Sequence, residues 1–226
     1  MFKAYEPNTL AVNVQQELEP FLASFDRLGA QNEKFQQFRR NYQSFKARYR
    51  NAKQIEEFVT KGIAKNWIDP NEWENPNFIF LVMFAYLGLV ETVGNCVVDI
   101  LVMLLVANGR DFHMDSDNGS HIKHVTSISS LKDGRVDLAI KLDFLKENGV
   151  TFFSNIVDTR LRNDIAHLNF RLIGADDWVE FSTRLSNGKS YKATAVEILM
   201  PRIRDLLYGI DVVVDLLSIT FDEKLS

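Results

Sequence analysis

The residues best suited to chemistry lie in one short segment, residues 159–170, which holds Arg162, Asn163 and His167. A histidine suits proton transfer, because its unperturbed pKa of about 6.5 leaves both protonation states accessible near neutral pH. An arginine suits a phosphate, because its planar guanidinium stays charged and can donate to two oxygens at once. Cleavage of an RNA phosphodiester without a metal needs proton transfers and stabilisation of charge on phosphorus. The residue types in this segment meet both needs.

The segment resembles the signature of the HEPN superfamily, in which an arginine, usually followed by a polar residue, precedes a histidine by four to six intervening residues. Here Asn163 follows Arg162 directly, and His167 comes five residues after the arginine. Many members of that family are endoribonucleases that need neither a metal nor a cofactor and work as dimers. The resemblance implies that Arg162 binds the phosphate, that His167 transfers protons and that Asn163 orients groups by hydrogen bonding. We call these three the signature residues.

The spacing of the signature residues sets a condition on the surrounding structure. Five residues along a straight helix turn two side chains about 140° apart. Arg162 and His167 therefore share a face only if the helix ends or bends near His167. A two-fold axis relieves this condition, because two symmetry-related helix ends bring two arginines and two histidines into one cleft. The resemblance implies such a composite site, and therefore a homodimer.

Two carboxylates on another predicted helix are candidate partners of the signature residues. Glu91 and Asp99, with Asn95 between them, interrupt the apolar residues 78–107 at four-residue spacing, which predicts one shared helical face. They either contact the signature residues inside the bundle and help to orient them, or form a structural polar seam that pairs with Arg160 or Arg162. Two carboxylates inside a bilayer would be costly without partners, so we predict a buried helix of a bundle and no membrane span.

A basic helix near the N-terminus offers the candidate RNA contacts. A net charge of −4 argues against a bulk polyanion binder, so contact with RNA requires a local basic face. Aromatic residues at helical spacing between Phe35 and Tyr49 predict a long helix with an apolar stripe. Its basic side is either a solvated face or a track for the RNA backbone. With one arginine from the signature segment, the candidate contacts are Arg39, Arg40, Lys46, Arg48, Arg50 and Arg160.

Compartment and metal content follow from a few residues. The single Cys96 rules out an intrachain disulfide and a cysteine-rich zinc site, which fits a cytoplasmic protein. The N-terminus has no apolar run behind a basic one, so it does not predict a signal peptide. Residues 110–120 read as an exposed loop in a region rich in histidine and aspartate. Their spacing fails the calcium-loop pattern, since Met114 stands where the first ligand belongs, and we predict no metal site.

The order of elements predicts a mainly α protein, an up-and-down helical bundle of the HEPN kind with a small β-meander inserted before the last helix. Residues 1–66 are predicted to form two N-terminal helices that pack on this bundle, and residues 67–226 the HEPN-like domain, with the hairpin at about 170–193. Helices are predicted at residues 135–146 and from Thr151, its cap, through the signature segment. A capping box at residues 194–197 begins the last helix.

Three functions agree with these patterns. The leading expectation is a dimeric HEPN-type endoribonuclease acting on RNA, in a toxin–antitoxin or phage-defence setting, where an antitoxin or another protein would be a partner. The alternative is a catalytically inactive HEPN-like module that binds a partner protein, a nucleotide or RNA. A membrane-associated helical protein is the third, and only the apolar residues 78–107 favour it.

Overall fold

A computed structural model describes residues 7–28, 32–64, 76–115, 122–124, 128–131, 136–173, 178–184 and 190–222. In these ranges the α-helices are α1 (Pro7–Leu28), α2 (Glu33–Ala64), α3 (Pro76–Gly88), α4 (Asn95–Ala107), α5 (Ile128–Leu131), α6 (Leu138–Glu147), α7 (Phe152–Ile156), α8 (Thr159–Ala166) and α9 (Ala195–Asp222). The strands are β1 (His113–Asp115), β2 (Ile122–His124), β3 (Phe170–Ile173), β4 (Trp178–Arg184) and β5 (Ser190–Thr194). The prediction of a mainly helical bundle with a small β element is confirmed. Residues 65–75, where the predicted domain boundary falls, lie outside the described residues.

Helix α2 buries the aromatic stripe that its sequence predicts. The buried members of the stripe are Phe35, Phe38, Tyr42 and Phe45. The Tyr42 hydroxyl lies 3.2 Å from Oγ of Ser218, and the Tyr49 hydroxyl donates to Oδ1 of Asp211 at 2.9 Å. Since the later residue on α2 meets the earlier one on α9, the two helices run antiparallel. Buried side chains of α1 and α2 join the same core as those of the later helices.

A carboxylate of α1 fastens the start of α7. Glu17 accepts hydrogen bonds from the Thr151 N–H at 2.7 Å, the Thr151 hydroxyl at 2.6 Å and the Phe152 N–H at 3.2 Å. The first N–H groups of a helix have no partner inside it, so Glu17 caps α7 from another helix. Thr151 is the N-cap residue of α7, as the sequence predicts, but its side chain makes no capping bond and its hydroxyl donates to Glu17.

The apolar residues 78–107 form one helical path with a change of pitch inside it. Helix α3 runs into a π-helical segment, Leu89–Gly94, which continues as α4. By length and composition alone, Phe80–Ala107 could cross a membrane, and 80% of its most apolar window is buried inside the protein. The π-helical segment adds residues to each turn, so it rotates the faces that follow it relative to those before it.

Two helix starts differ from the sequence prediction, and an aspartate explains each. Helix α6 begins at Leu138, three residues late, because the Asp137 side chain accepts the Ile140 N–H at 2.9 Å as its N-cap. The helix predicted from residue 151 through the signature is in fact two, α7 and α8. Val157 is extended between them, and Asp158 caps α8. Aspartate is among the preferred N-cap residues, which favours a fresh start at this point.

The β elements are two separate antiparallel groups. Strands β3, β4 and β5 form the predicted meander between α8 and α9, and its predicted turn at residues 186–189 lies outside the described residues. Strand β1 lies inside the exposed loop predicted at residues 110–120, and it pairs with β2, which follows that loop. Polar composition indicates exposure, but it does not distinguish a loop from a short solvated ribbon. Helix α9 begins at Ala195, directly after Thr194, as the capping box predicts.

Candidate active site

The signature residues lie on α8 and on the turn that ends it. Arg162 and Asn163 are helical, and His167 is the C-cap residue that follows the last helical residue, Ala166. The helix therefore ends at the point that the spacing of Arg162 and His167 requires. Arg162 is half-buried, whereas Asn163 and His167 are exposed. All three polar groups are accessible from the surface.

Two hydrogen bonds, to Glu91 and Asn163, fix the orientation of the Arg162 guanidinium. Its Nε donates to Oε1 of Glu91 in the π-helical segment, and its Nη1 donates to Oδ1 of Asn163 at 2.6 Å. Within the described part of the chain these bonds use two of the five N–H donors of an arginine. The side chains of Arg162 and Glu91 are 28% and 35% exposed, so solvent reaches the pair. The remaining donors suit two oxygens of a phosphate.

Asp99 has a different environment from Glu91, although the sequence places both near one helical face. Its Oδ1 accepts a hydrogen bond from Nζ of Lys141 on α6 at 2.7 Å, and both side chains are buried. The π-helical segment explains the difference, because it changes the helical repeat between positions 91 and 99. The structure thus gives Asp99 a partner on α6, where the sequence placed its partner on the signature helix.

Three residues that the sequence did not single out fix the start of α8. The Asp158 carboxylate accepts the N–H groups of Arg160 at 3.1 Å and Leu161 at 3.0 Å, and the Asp158 N–H donates to the Tyr86 hydroxyl at 3.1 Å. Nη2 of Arg202, on α9, lies 3.6 Å from Oδ2 of Asp158. Burial raises the pKa of Tyr86 above its ordinary value, so the hydroxyl stays protonated. Asp158 was recognisable as a helix-start residue, but its two partners come from distant parts of the chain.

The turn that carries His167 is a Schellman motif with an unusual residue. The Leu168 N–H donates to the carbonyl oxygen of Ile165 at 3.2 Å, and the Asn169 N–H donates to the carbonyl oxygen of Asp164 at 2.7 Å. Helices α4 and α6 end with the same pair of bonds, at Gly109 and Gly149. Those glycines have φ of +83° and +86°, and Leu168 has φ of +55°, alone among non-glycine residues in the described ranges. A left-handed backbone at an L-residue costs about 1–2 kcal/mol.

Replacing Leu168 by glycine should raise the free energy of unfolding by about 0.5–1 kcal/mol, because it removes the left-handed strain at the cost of a more flexible unfolded chain. Urea denaturation measures the change. The matched control is Gly149→Leu, which should lose a similar amount, since a Cβ at Gly149 meets no atom within 4 Å and only the backbone is strained. A clear loss of stability in Leu168→Gly would contradict the prediction and indicate that the Leu168 side chain makes a stabilising contact.

The candidate RNA contacts are exposed or half-buried wherever their side chains are described. These residues are Arg39, Arg40, Lys46, Arg50 and Arg160. The side chain of Arg48 lies outside the described part. Nζ of Lys46 lies 5.7 Å from the ring centroid of Tyr42, within the range of a cation–π contact. The basic side of α2 is thus accessible, as both interpretations of it require.

Exposed apolar side chains lie on α3 and on the turn that carries His167. Leu81 and Phe84 on α3 are 44% and 51% exposed, and Leu168 is 63% exposed. Phe80 stacks on Phe84 with ring centroids 6.4 Å apart and contacts Phe170 at 5.9 Å. Phe170 follows His167 by only three residues, so its Cα lies within about 11 Å of the histidine Cα. We call Leu81, Phe84 and Leu168 the apolar rim.

Comparisons with protein-family models, with curated proteins and with solved structures find no match to this chain. Among the side chains that the structure describes, no group of three His, Cys, Asp or Glu could hold a metal ion. Function must therefore be inferred from the residues of this chain.

Proposed function

We propose that the protein is a metal-independent endoribonuclease of the HEPN kind that cleaves RNA with Arg162 and His167. One observation carries the proposal. A half-buried guanidinium in the middle of α8, held by Glu91 and Asn163, and an exposed imidazole at the C-cap of the same short helix lie five residues apart. Five residues of helical rise separate them by about 7.5 Å along the axis.

Arg162 is the phosphate-binding residue in this proposal. Glu91 holds Nε and Asn163 accepts from Nη1, so the plane of the guanidinium is fixed before a substrate arrives. An oriented cation stabilises the charge that develops on the phosphoryl oxygens in the transition state, without reorganisation during the reaction. Glu91 acts through Arg162 and is therefore a positioning residue.

His167 is the proton-transfer residue. The 2′-hydroxyl that attacks phosphorus must lose a proton, and the 5′-oxygen that leaves must gain one. An imidazole can serve either step near neutral pH. The exposed position of His167 lets it reach a bound RNA and exchange its proton with water. Cleavage by this route leaves a 2′,3′-cyclic phosphate and a 5′-hydroxyl.

Two copies of the chain are proposed to complete the site, with the ends of their α8 helices facing each other. Leu168 supports this arrangement, because it follows His167 directly and is 63% exposed, so its apolar side chain is available for contact with a second copy. A two-fold axis beside the rim would bring the partner's signature to the same cleft. The HEPN resemblance is what supports a cytoplasmic role in toxin–antitoxin or phage defence, with an antitoxin or another protein as partner.

A catalytically inactive module that binds a partner protein, a nucleotide or RNA is the alternative. One observation favours it: Arg162 is already paired with the carboxylate of Glu91, as an arginine in a structural ion pair would be. In that case the signature residues would contribute to stability or binding, and no cleavage would be measured with any RNA.

Incubating the purified chain with structured and unstructured RNA in EDTA tests the proposal. Wild type should cleave and leave 2′,3′-cyclic phosphate ends. His167→Ala should lower the rate by about 10²–10⁴-fold, and Arg162→Ala by about 10²–10³-fold. Arg110→Ala, an exposed arginine outside the signature, is the matched control and should cleave like wild type. Cleavage that persists in both signature variants would overturn the assignment, and no cleavage by wild type would favour the binding module.

A further inference from the structure

Tyr86, on α3, contacts the helix that carries the signature from inside the protein. Its hydroxyl accepts a hydrogen bond from the N–H of Asp158, the residue directly before α8, at 3.1 Å. Tyr86 is 0% exposed, so this hydroxyl cannot touch a substrate. Any effect of Tyr86 on a reaction must therefore pass through α8.

The backbone of Asp158 connects Tyr86 to Arg162. Asp158 donates its N–H to Tyr86, and its carbonyl oxygen accepts the Arg162 N–H at 2.9 Å. The Asp158 carboxylate also caps α8, and Nη2 of Arg202 lies 3.6 Å from its Oδ2. The first N–H groups of a helix have no partner inside it, so the residue that accepts them sets where the helix begins. Two hydrogen bonds through one residue thus join the Tyr86 hydroxyl to the Arg162 backbone.

The same helical path holds α8 at a second point. Glu91 follows Tyr86 by five residues, in the π-helical segment, and accepts a hydrogen bond from Nε of Arg162. Helix α8 has eight residues, about two turns, and Arg162 is the fourth of them. In so short a helix, the position of the first turn decides where the Arg162 side chain meets Glu91.

We propose that Tyr86 is a further positioning residue, whose buried hydroxyl fixes Asp158 and through it the place of the Arg162 guanidinium. Its consequence for catalysis rests on the proposed function of Arg162. A displaced guanidinium still attracts the phosphate of a bound RNA, but it no longer meets the charge that develops on the phosphoryl oxygens. Interactions that are stronger in the transition state than in the bound substrate raise kcat. Loss of the Tyr86 hydroxyl should therefore lower kcat and leave KM nearly unchanged.

Tyr86→Phe tests the proposal in RNA cleavage by the full-length chain in EDTA. It should lower kcat by about 10–100-fold, because a misplacement of about 1 Å can cost 10²-fold, and KM should stay within about twofold of wild type. Tyr42→Phe is the matched control. Tyr42 is also 0% exposed, and its hydroxyl lies 3.2 Å from Oγ of Ser218, between α2 and α9. This control should keep the wild-type kcat, although both variants should lower the urea midpoint by similar amounts.

Hydrogen exchange of single amides, followed by NMR, provides a measurement that needs no nuclease activity. Tyr86→Phe should speed exchange at the amides of Asp158 and Arg162, because it removes the acceptor of the first and loosens the acceptor of the second, whereas Tyr42→Phe should not. Faster exchange with no cleavage by wild type would refute the nuclease and still support the role of Tyr86. Equal exchange in the two variants, or an equal fall of kcat in both, would overturn the inference.

Discussion

Lys141→Ala should lower the free energy of unfolding by about 3–5 kcal/mol, which is the largest loss of stability that we expect from one side chain. Nζ of Lys141 donates to Oδ1 of Asp99 at 2.7 Å, and the two side chains are only 7% and 6% exposed. Alanine removes the cation but leaves the Asp99 carboxylate buried between α4 and α6. A buried charge that loses its partner is costly, whereas the intact pair itself contributes little net stability.

Urea denaturation followed by tryptophan fluorescence measures this loss, and a double-mutant cycle separates the pair from its surroundings. The double variant Asp99→Leu with Lys141→Met should recover most of the stability, because apolar residues of similar volume can replace a buried ion pair at little cost. Lys146→Ala on the same helix is the control. Lys146 is exposed, and its loss should stay within about 0.5 kcal/mol. A Lys141→Ala variant as stable as Lys146→Ala would contradict the prediction.

The buried pair also marks a limit of reasoning from sequence. Four-residue spacing predicts one helical face for Glu91 and Asp99, and that prediction assumes a uniform α-helix. The π-helical segment breaks the assumption, so that Glu91 meets Arg162 while Asp99 meets Lys141. Apart from Thr92, Gly94 and Asn95, the residues between them are apolar and indicate only burial. Periodicity therefore predicts the helix and its polar positions. The partners of Glu91 and Asp99 depend on a local change of helical pitch, which the periodicity does not predict.

Patterns that rest on local preferences predict the structure better. The aromatic stripe of α2 is buried as its spacing predicts, and the meander before α9 lies where alternation and turn residues place it. The break between α7 and α8 was missed, although Asp158 is a typical N-cap residue, because the apolar pattern continues across it. Tyr86 and Arg202 were missed for another reason. Their role at the start of α8 exists only once α3 and α9 have packed beside it.

A mixture of Arg162→Ala and His167→Ala should recover about a quarter of the wild-type nuclease activity, although each variant alone is inactive. The expectation follows from the composite site. Random exchange makes about half of the dimers mixed. The wild-type cleft holds two arginine–histidine pairs, each shared between the copies, and the cleft of a mixed dimer keeps one of them intact. Arg162 and His167 of one copy point about 140° apart on a straight helix. Only the helix end at Ala166 relaxes that separation.

RNA cleavage in EDTA after subunit exchange measures the recovery. The control is a mixture of the double variant, which carries both Arg162→Ala and His167→Ala, with the single variant Arg162→Ala, and this mixture should stay inactive.

Leu168→Asp offers an independent check. A charge in the apolar rim should weaken the dimer and lower the nuclease activity together, and both losses should increase as the protein is diluted. Recovery requires that the residues act across the two-fold axis. Two inactive variants that remain inactive when mixed, while wild type cleaves, would place Arg162 and His167 in one protomer's site, and the turn at His167 alone would then have to bring them together.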